Sequence, residues 1–231
     1  AGGREWLVLA LDWRMSNSSF EWAESVLKSH AHLPTILTTH EIVTADTGKA
    51  EFTEYGEEVW NKLIKDNNQV FLTLNGHFWP SGRTSRTNAA GNKVESHITN
   101  YQNRYYGGSG MIRSYRFKMR ENKIDVSTFS PWTKELIQKG QANPLSRKEA
   151  ELTTSADKFT MHINFERRFQ ALDKSKRSES SDDAVIKGTQ AYWRFDRHEA
   201  GSPLSQLDVI KDLSGNCNDL ILKTHFPSDK N

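Results

Sequence analysis

Three short apolar runs alternate with two amphipathic stretches over the first 75 residues, and no other feature restricts the fold of this chain as much. Trp6 to Leu11 reads Trp-Leu-Val-Leu-Ala-Leu, the continuous apolar pattern of a strand buried on both faces. Pro34 opens a second run, Thr35-Ile36-Leu37-Thr38-Thr39, which ends at His40-Glu41. Val70 to Leu74 is the third, and it leads into Asn75-Gly76-His77. Between the first two runs, Ser18 with Glu21 matches a capping box, and Phe20, Ala23, Val26 and Leu27 follow at helical spacing to about Ser29. A loop containing Gly48 precedes a second helix, one face of which is marked by Tyr55, Val59, Leu63 and Ile64. Strand-helix-strand-helix-strand order predicts an α/β sheet layer.

From about Glu95 the period changes to two. Segments near Glu95 to Gln102, Met111 to Met119 and Lys123 to Phe129 alternate polar and apolar residues, with a turn at Glu121-Asn122. They predict an antiparallel meander, closed by Pro131-Trp132. Residues 133 to about 156 are polar with weak helical character at Lys134 to Lys139, and Lys158 to Phe169 reads as one strand. Residues 170 to 188 hold too much Ser, Lys, Glu and Asp to bury a core and read as linker. A strand at Ala191 to Phe195, a turn at Asp212 to Asn216 and a strand at Leu220 to Leu222 then predict a second, β-rich domain. The expected organisation is 1–132, a connector and linker at 133–188, and a domain start at 189–231. About 43 residues are too few for an independent β domain, and the chain opens almost inside a strand, so both ends read as cut.

Hydrophobic residues at 35%, with seven Trp and eleven Phe, supply core material for a globular chain. A net charge of +2, spread along the sequence, gives no reason to expect a nucleic acid or an anionic membrane as partner. No apolar run reaches the roughly 20 residues of a membrane helix, so no membrane span is expected. Cys217 is the single cysteine, which excludes an internal disulfide framework and a thiolate-rich zinc site. The compartment stays open, with secretion expected if the parent protein carries a leader.

His40 and His77 each follow an apolar strand directly. In open α/β sheets the carboxyl ends of the strands form the rim where ligands bind, and Gly76 would let the backbone bend there. Neutral imidazole ligates zinc, iron and related metals. Two such histidines alone are a weak signal, fitting ordinary polar strand ends better than a metal site.

Trp6 to Trp13, the Phe20-Glu21-Trp22-Ala23 helix, Pro34 to Glu41 and Asn75-Gly76-His77 together resemble the C-terminal half of the calcineurin-like metallophosphoesterases, over about residues 3 to 132. That resemblance implies a four-layer α/β sandwich, two divalent metal ions (Mn, Fe or Zn) and hydrolysis of phosphoester substrates by a metal-activated hydroxide. The family's ligands come as Asp-x-His, Gly-Asp, Gly-Asn-His, a lone His, and Gly-His-x-His. His40 matches the lone His, and His77 matches the first His of the last motif; the resemblance implies that both hold the same metal. The earlier motifs, with the bridging carboxylate and the catalytic acid, have no counterpart here, and Asp12 does not replace them. Trp79 stands where the second His of the last motif belongs, and an indole, which only donates, cannot ligate. His97 is the nearest replacement in sequence, although its place in an alternating strand also reads as surface.

Arg83, Arg86 and Arg104 could face a phosphate or be solvated loop charges. Trp79-Pro80 and Tyr105-Tyr106-Gly107-Gly108 could line a cleft or pack a loop on a sheet edge. Beyond the linker, Ala191 to Asp196 and Asp212-Leu213-Ser214-Gly215-Asn216 resemble the opening of a laminin-G-like, concanavalin-A-type jelly roll. That implies glycan or protein ligands, while Tyr192, Trp193 and Phe195 also suit the core of any β-sandwich. Two functions are therefore expected: a fragment of a phosphoester hydrolase, inactive in isolation, or a non-catalytic scaffold whose β-sandwich does the binding.

Overall fold

The computed structural model describes residues 3–46, 49–172, 190–193 and 209–221. The chain divides into two compact units, Ala1–Lys176 and Arg177–Asn231. The fold is mixed α/β, with several sheets and few helices. No described helix is long and apolar enough to cross a membrane.

The first unit starts with β1 (Leu7–Ala10), α1 (Asn17–Ser29), β2 (Thr35–Thr38), β3 (Val43–Asp46), β4 (Lys49–Phe52) and α2 (Glu54–Val59), which runs on into a π-helical turn, Trp60–Ile64. β5 (Val70–Asn75), β6 (Gly82–Thr87) and β7 (Lys93–Ile98) follow. α1 buries Phe20, Ala23, Val26 and Leu27, the face expected from their spacing. Its cap is Ser16, not Ser18: the Ser16 hydroxyl accepts the Ser19 N–H, and Ser18 sits in the first turn with its hydroxyl 2.8 Å from that of Ser16.

These strands form a seven-stranded sheet in the order β1-β2-β5-β7-β6-β4-β3. β1, β2, β5 and β7 run parallel to one another, and β6 is antiparallel to β7. Four features depart from the sequence expectation. The segment assigned to a loop around Gly48 holds the antiparallel β3–β4 pair. β6, Gly-Arg-Thr-Ser-Arg-Thr, has no apolar side chain to announce it; pairing with β7 and the stacking of Arg86 on Phe52 at 3.8 Å define it. β7 joins this sheet rather than the meander, because Ser96, His97 and Ile98 are buried in succession and both of its edges are taken by β5 and β6. β1 is buried on one face only: Leu9 is enclosed while Val8 is 62% exposed, since β1 ends the sheet.

A short helical turn α3 (Tyr105–Gly108) leads to β8 (Ile112–Lys118), a 3-10 turn, and β9 (Lys123–Phe129). Asn122 makes the predicted turn in the left-handed region, φ 50, which its short amide side chain tolerates. α4 (Pro131–Gln138), α5 (Pro144–Lys148), β10 (Glu151–Leu152), β11 (Phe159–His162) and α6 (Phe165–Phe169) complete the unit. β9 pairs with β8 on one edge and with β10 and β11 in turn on the other, all antiparallel.

The two sheets share a core. Phe71 and Leu72 of β5 meet Ile124 and Val126 of β9, Met161 of β11, and Phe165, Phe169 and Leu172, with Trp6 packed against them. Residues 133–172, read from sequence as connector and single strand, thus belong to the first unit. The strand expected over Lys158 to Phe169 stops at His162, because the Asn164 side chain accepts the Arg167 N–H and starts α6. Phe165 and Phe169, four apart, then fall on one helical face. Arg168 fastens α6 to β5 by donating to Asn68 O at 2.8 Å and Val70 O at 3.0 Å. Of the expected linker, residues 170–172 pack here, and 173–188 lie outside the described residues.

In the second unit β12 (Val209–Ile210) pairs with β13 (Leu220–Ile221), and Trp193 bridges to Asp212. Asp212 organises the Asp-Leu-Ser-Gly-Asn turn. Against the desolvation of its carboxylate, the N–H groups of Tyr192, Ser214 and Asn218 and the Ser214 hydroxyl hold its pKa far below the carboxylate range. Phe195 and Leu222, at the ends of the two expected strands, fall outside the described residues.

Candidate functional site

β2 and β5 are adjacent and parallel, so both strand ends deliver their next residues to the same side of the sheet. His40 follows β2 and His77 follows β5. Gly76 N–H donates to His40 O at 3.1 Å, which carries the pairing past the strands. The imidazoles converge: His77 Nδ1 lies 3.0 Å from His40 Nε2, with ring centroids 4.8 Å apart.

The bend expected at Gly76 occurs one residue later. His77 has φ 68, and the Phe78 N–H donates to Gly76 O at 2.9 Å, closing a three-residue turn about it. A side-chain-bearing residue at positive φ stores strain that the surroundings must hold. Here Asn100 Nδ2 grips His77 O at 2.9 Å, and Asn75 binds both N–H and C=O of Val43, tying β5 to the start of β3.

Two residues that sequence reasoning missed complete the cluster. Trp13, just past β1, packs on both imidazoles with centroids 5.1 Å from His40 and 4.9 Å from His77. Its Nε1 donates at 2.9 Å to Glu41, whose carboxylate is buried and also lies 3.8 Å from Arg14. Their signal was position: Glu41 follows His40 directly, and Trp13 lies just past the end of β1.

Two nitrogens about 2.0–2.1 Å from a shared ion stand about 2.8–3.4 Å apart when the angle between them lies between a right angle and the tetrahedral one, and the 3.0 Å here is also the length of an N–H···N hydrogen bond between the rings. Among the described residues no third His, Cys, Asp or Glu joins them.

The other candidates are elsewhere. His97 is 1% exposed, not at the surface; its Nδ1 is 3.0 Å from Tyr115 Oη and its ring meets Phe159 edge-on. The alternation of β7 misled because both faces of that strand are covered. Arg86 makes two 2.7 Å hydrogen bonds to Glu57, Arg104 pairs with Glu149 at 2.6 Å, and Arg83 lies over Phe159 and donates to Ser155 O. Each arginine is therefore engaged within the fold. Trp79 is 44% exposed, with the Arg104 guanidinium over its ring at 5.6 Å.

Burial holds the His97 pKa below its ordinary value, against the opposing pull of Glu95, 3.9 Å from Nε2. The folded state keeps His97 neutral, whereas the unfolded chain protonates it below about pH 6.5. Its contribution is thus present above that pH and is lost as pH falls toward the folded value. The urea midpoint is expected to drop between about pH 7.5 and 5.5, and His97→Gln is expected to shrink the drop. An unchanged pH dependence in the variant would contradict this.

No protein-family model matches the chain. Over 141 residues it is 26% identical to "Uncharacterized protein YvnB" of Bacillus subtilis (strain 168), an alignment covering 58% of this chain and 11% of that protein. The chain spans about a tenth of the length of this curated relative.

Proposed function

We propose that His40 and His77 are two ligands of one divalent metal ion, Mn, Fe or Zn, in a phosphoester hydrolase. In this reading the first unit is part of a calcineurin-like four-layer α/β sandwich. Residues 189–231 then open a laminin-G-like, concanavalin-A-type module for glycan or protein ligands. One observation supports the reading above the others: the 3.0 Å approach of His77 Nδ1 to His40 Nε2 at the ends of adjacent parallel strands, built on a strained backbone at His77. When bound, such an ion supplies positive charge against phosphoryl oxygens. The chain's own part is orientation: Trp13 packs both rings, Glu41 anchors Trp13, and Asn100 fixes the His77 carbonyl. With two imidazoles, the described residues supply less than a complete ligand set. The isolated chain is accordingly read as inactive.

A second reading, a non-catalytic scaffold whose β-sandwich does the binding, is favoured by Trp79. By the resemblance it stands where the last motif has a further ligand, and the Arg104 guanidinium lies over its ring. Titrating the chain with Co(II), followed by its visible absorption, tests the site without relying on turnover. Binding is expected in the native chain and is expected to disappear in both His40→Ala and His77→Ala. Equal binding in all three proteins would end the proposal. p-Nitrophenyl phosphate should survive the metal-loaded chain intact; turnover that both substitutions abolish would show a ligand set completed by other residues. Metal-dependent hydrolysis by the longer parent protein separates the first reading from the second.

A further inference from the structure

A groove of about 440 Å³ opens on the first unit between Tyr106 on one side, Trp132 and Leu136 of α4, and Gln141, Asn143 and Ser146 beyond the end of that helix. None of these residues belongs to the histidine cluster. The walls are built by strong local signals. Ser130 caps α4 by accepting the Thr133 N–H, with Pro131 at the first helical position. Gly140, φ 70, ends the helix while Gln141 N–H returns to Leu136 O and Gly140 N–H to Ile137 O. Asn143 caps α5 through Ser146 N–H and gives its other end to Tyr105 Oη at 2.9 Å.

The facing wall is strained. Tyr106, Gly107, Gly108, Ser109 and Gly110 all have positive φ, 51, 65, 126, 54 and 60. Tyr106 and Ser109 carry side chains that disfavour this conformation. The strain does not bury the Tyr106 ring, which stays 73% exposed and meets Trp132, itself 41% exposed, edge-on at 5.8 Å. Strained backbone clusters at functional sites, ligand clamps among them, and here it holds an aromatic ring in solvent beside a second exposed aromatic.

The lining selects the ligand chemistry. It contains no carboxylate, ammonium or guanidinium. An ion entering it would therefore lose hydration with no counter-charge to replace it. Aromatic faces lie beside two exposed amides, Gln141 and Asn143, while the buried Ser146 hydroxyl donates to Asn143 O at 2.9 Å. Asn143 has one amide hydrogen left after its bond to Tyr105. Such a surface suits a molecule that is apolar on one face and hydroxylated at its edge.

We propose that this groove binds a neutral sugar ring, the C–H face on Trp132 with Tyr106 closing the side, and the hydroxyls on Gln141 and Asn143. The site does not depend on the phosphoesterase reading or on the second unit.

The test is saturation-transfer NMR of the full chain with neutral oligosaccharides of glucose, N-acetylglucosamine, xylose and mannose, and with an oligoglucuronate as charged control. At least one neutral oligosaccharide is expected to bind, and Trp132→Ala and Tyr106→Ala are each expected to weaken it about tenfold. Gln141→Ala, which leaves every backbone hydrogen bond in place, is expected to weaken it about threefold, so the test survives any unfolding of the aromatic variants. Trp22→Ala, an exposed tryptophan on α1, is expected to change nothing. Binding by none of the neutral sugars, preference for the oligoglucuronate, or affinity that Trp132→Ala and Gln141→Ala leave within about twofold would each overturn the proposal.

Discussion

Phe169→Ala is expected to cost about 3–5 kcal/mol of folding stability, among the largest effects of any single substitution in the chain. The ring is fully enclosed, 5.3 Å from Phe71 and 5.7 Å from Trp6 between centroids, with the Arg4 and Arg168 guanidinium groups over it at 5.7 and 5.3 Å. Both the transfer of the ring and the cavity left behind contribute. The prediction also tests the boundary of the first unit, since Phe169 comes well after residue 132 in a stretch whose composition reads as connector. Urea unfolding of the variant beside Trp22→Ala gives the measure. A loss below about 1 kcal/mol, near the surface control, would show that α6 is a loosely held appendage.

Asp157→Ala is expected to cost about 3–5 kcal/mol for a different reason, an abandoned charge. The Arg113 and Asp157 side chains are 5% and 7% exposed and meet at 2.8 Å. Arg113 also donates to Thr128 Oγ1 and Ala156 O, while Asp157 accepts from Thr154. These bonds tie β8 to the loop that precedes β11. Removing the carboxylate strands a guanidinium where water cannot replace the partner. The double variant Arg113→Met, Asp157→Leu is expected to recover most of the loss, because the desolvation cost leaves with the pair. Adding Arg113→Met and Asp157→Leu as single variants closes a double-mutant cycle. If Asp157→Ala costs no more than the removal of an exposed pair such as Lys62–Glu58, the buried network carries no net stability.

β2, β5 and α1 were legible because each announced itself over several residues. The apolar runs at Thr35 to Thr39 and Val70 to Leu74 became β2 and β5, and the helical spacing of Phe20, Ala23, Val26 and Leu27 became the buried face of α1. α4 and α5 carry marks at Ser130-Pro131 with Gly140 and at Asn143-Pro144, of which only the weak helical character of Lys134 to Lys139, inside α4, is read from the sequence, because the residues between are polar. β6 carried no mark at all. Its side chains are Arg, Ser and Thr, and it is a strand because β7 offers an unpaired edge beside it.

The candidate site divides in the same way. That His40 and His77 leave the ends of two strands follows from local order along the chain. That they touch follows from β2 and β5 being parallel neighbours in register, a long-range pairing across some 35 residues that no local pattern contains. Trp13 joins them because β1 lies on the other side of β2, and His97 is kept away because both faces and both edges of β7 are covered. Sequence alone determined which segments could be strand or helix and which residues stood at their ends, since propensity, capping and hydrophobic period act over a few neighbouring residues. Tertiary structure decided which strands became neighbours, which of their faces were covered, and so which side chains met, because burial of apolar surface is settled only when distant segments pack.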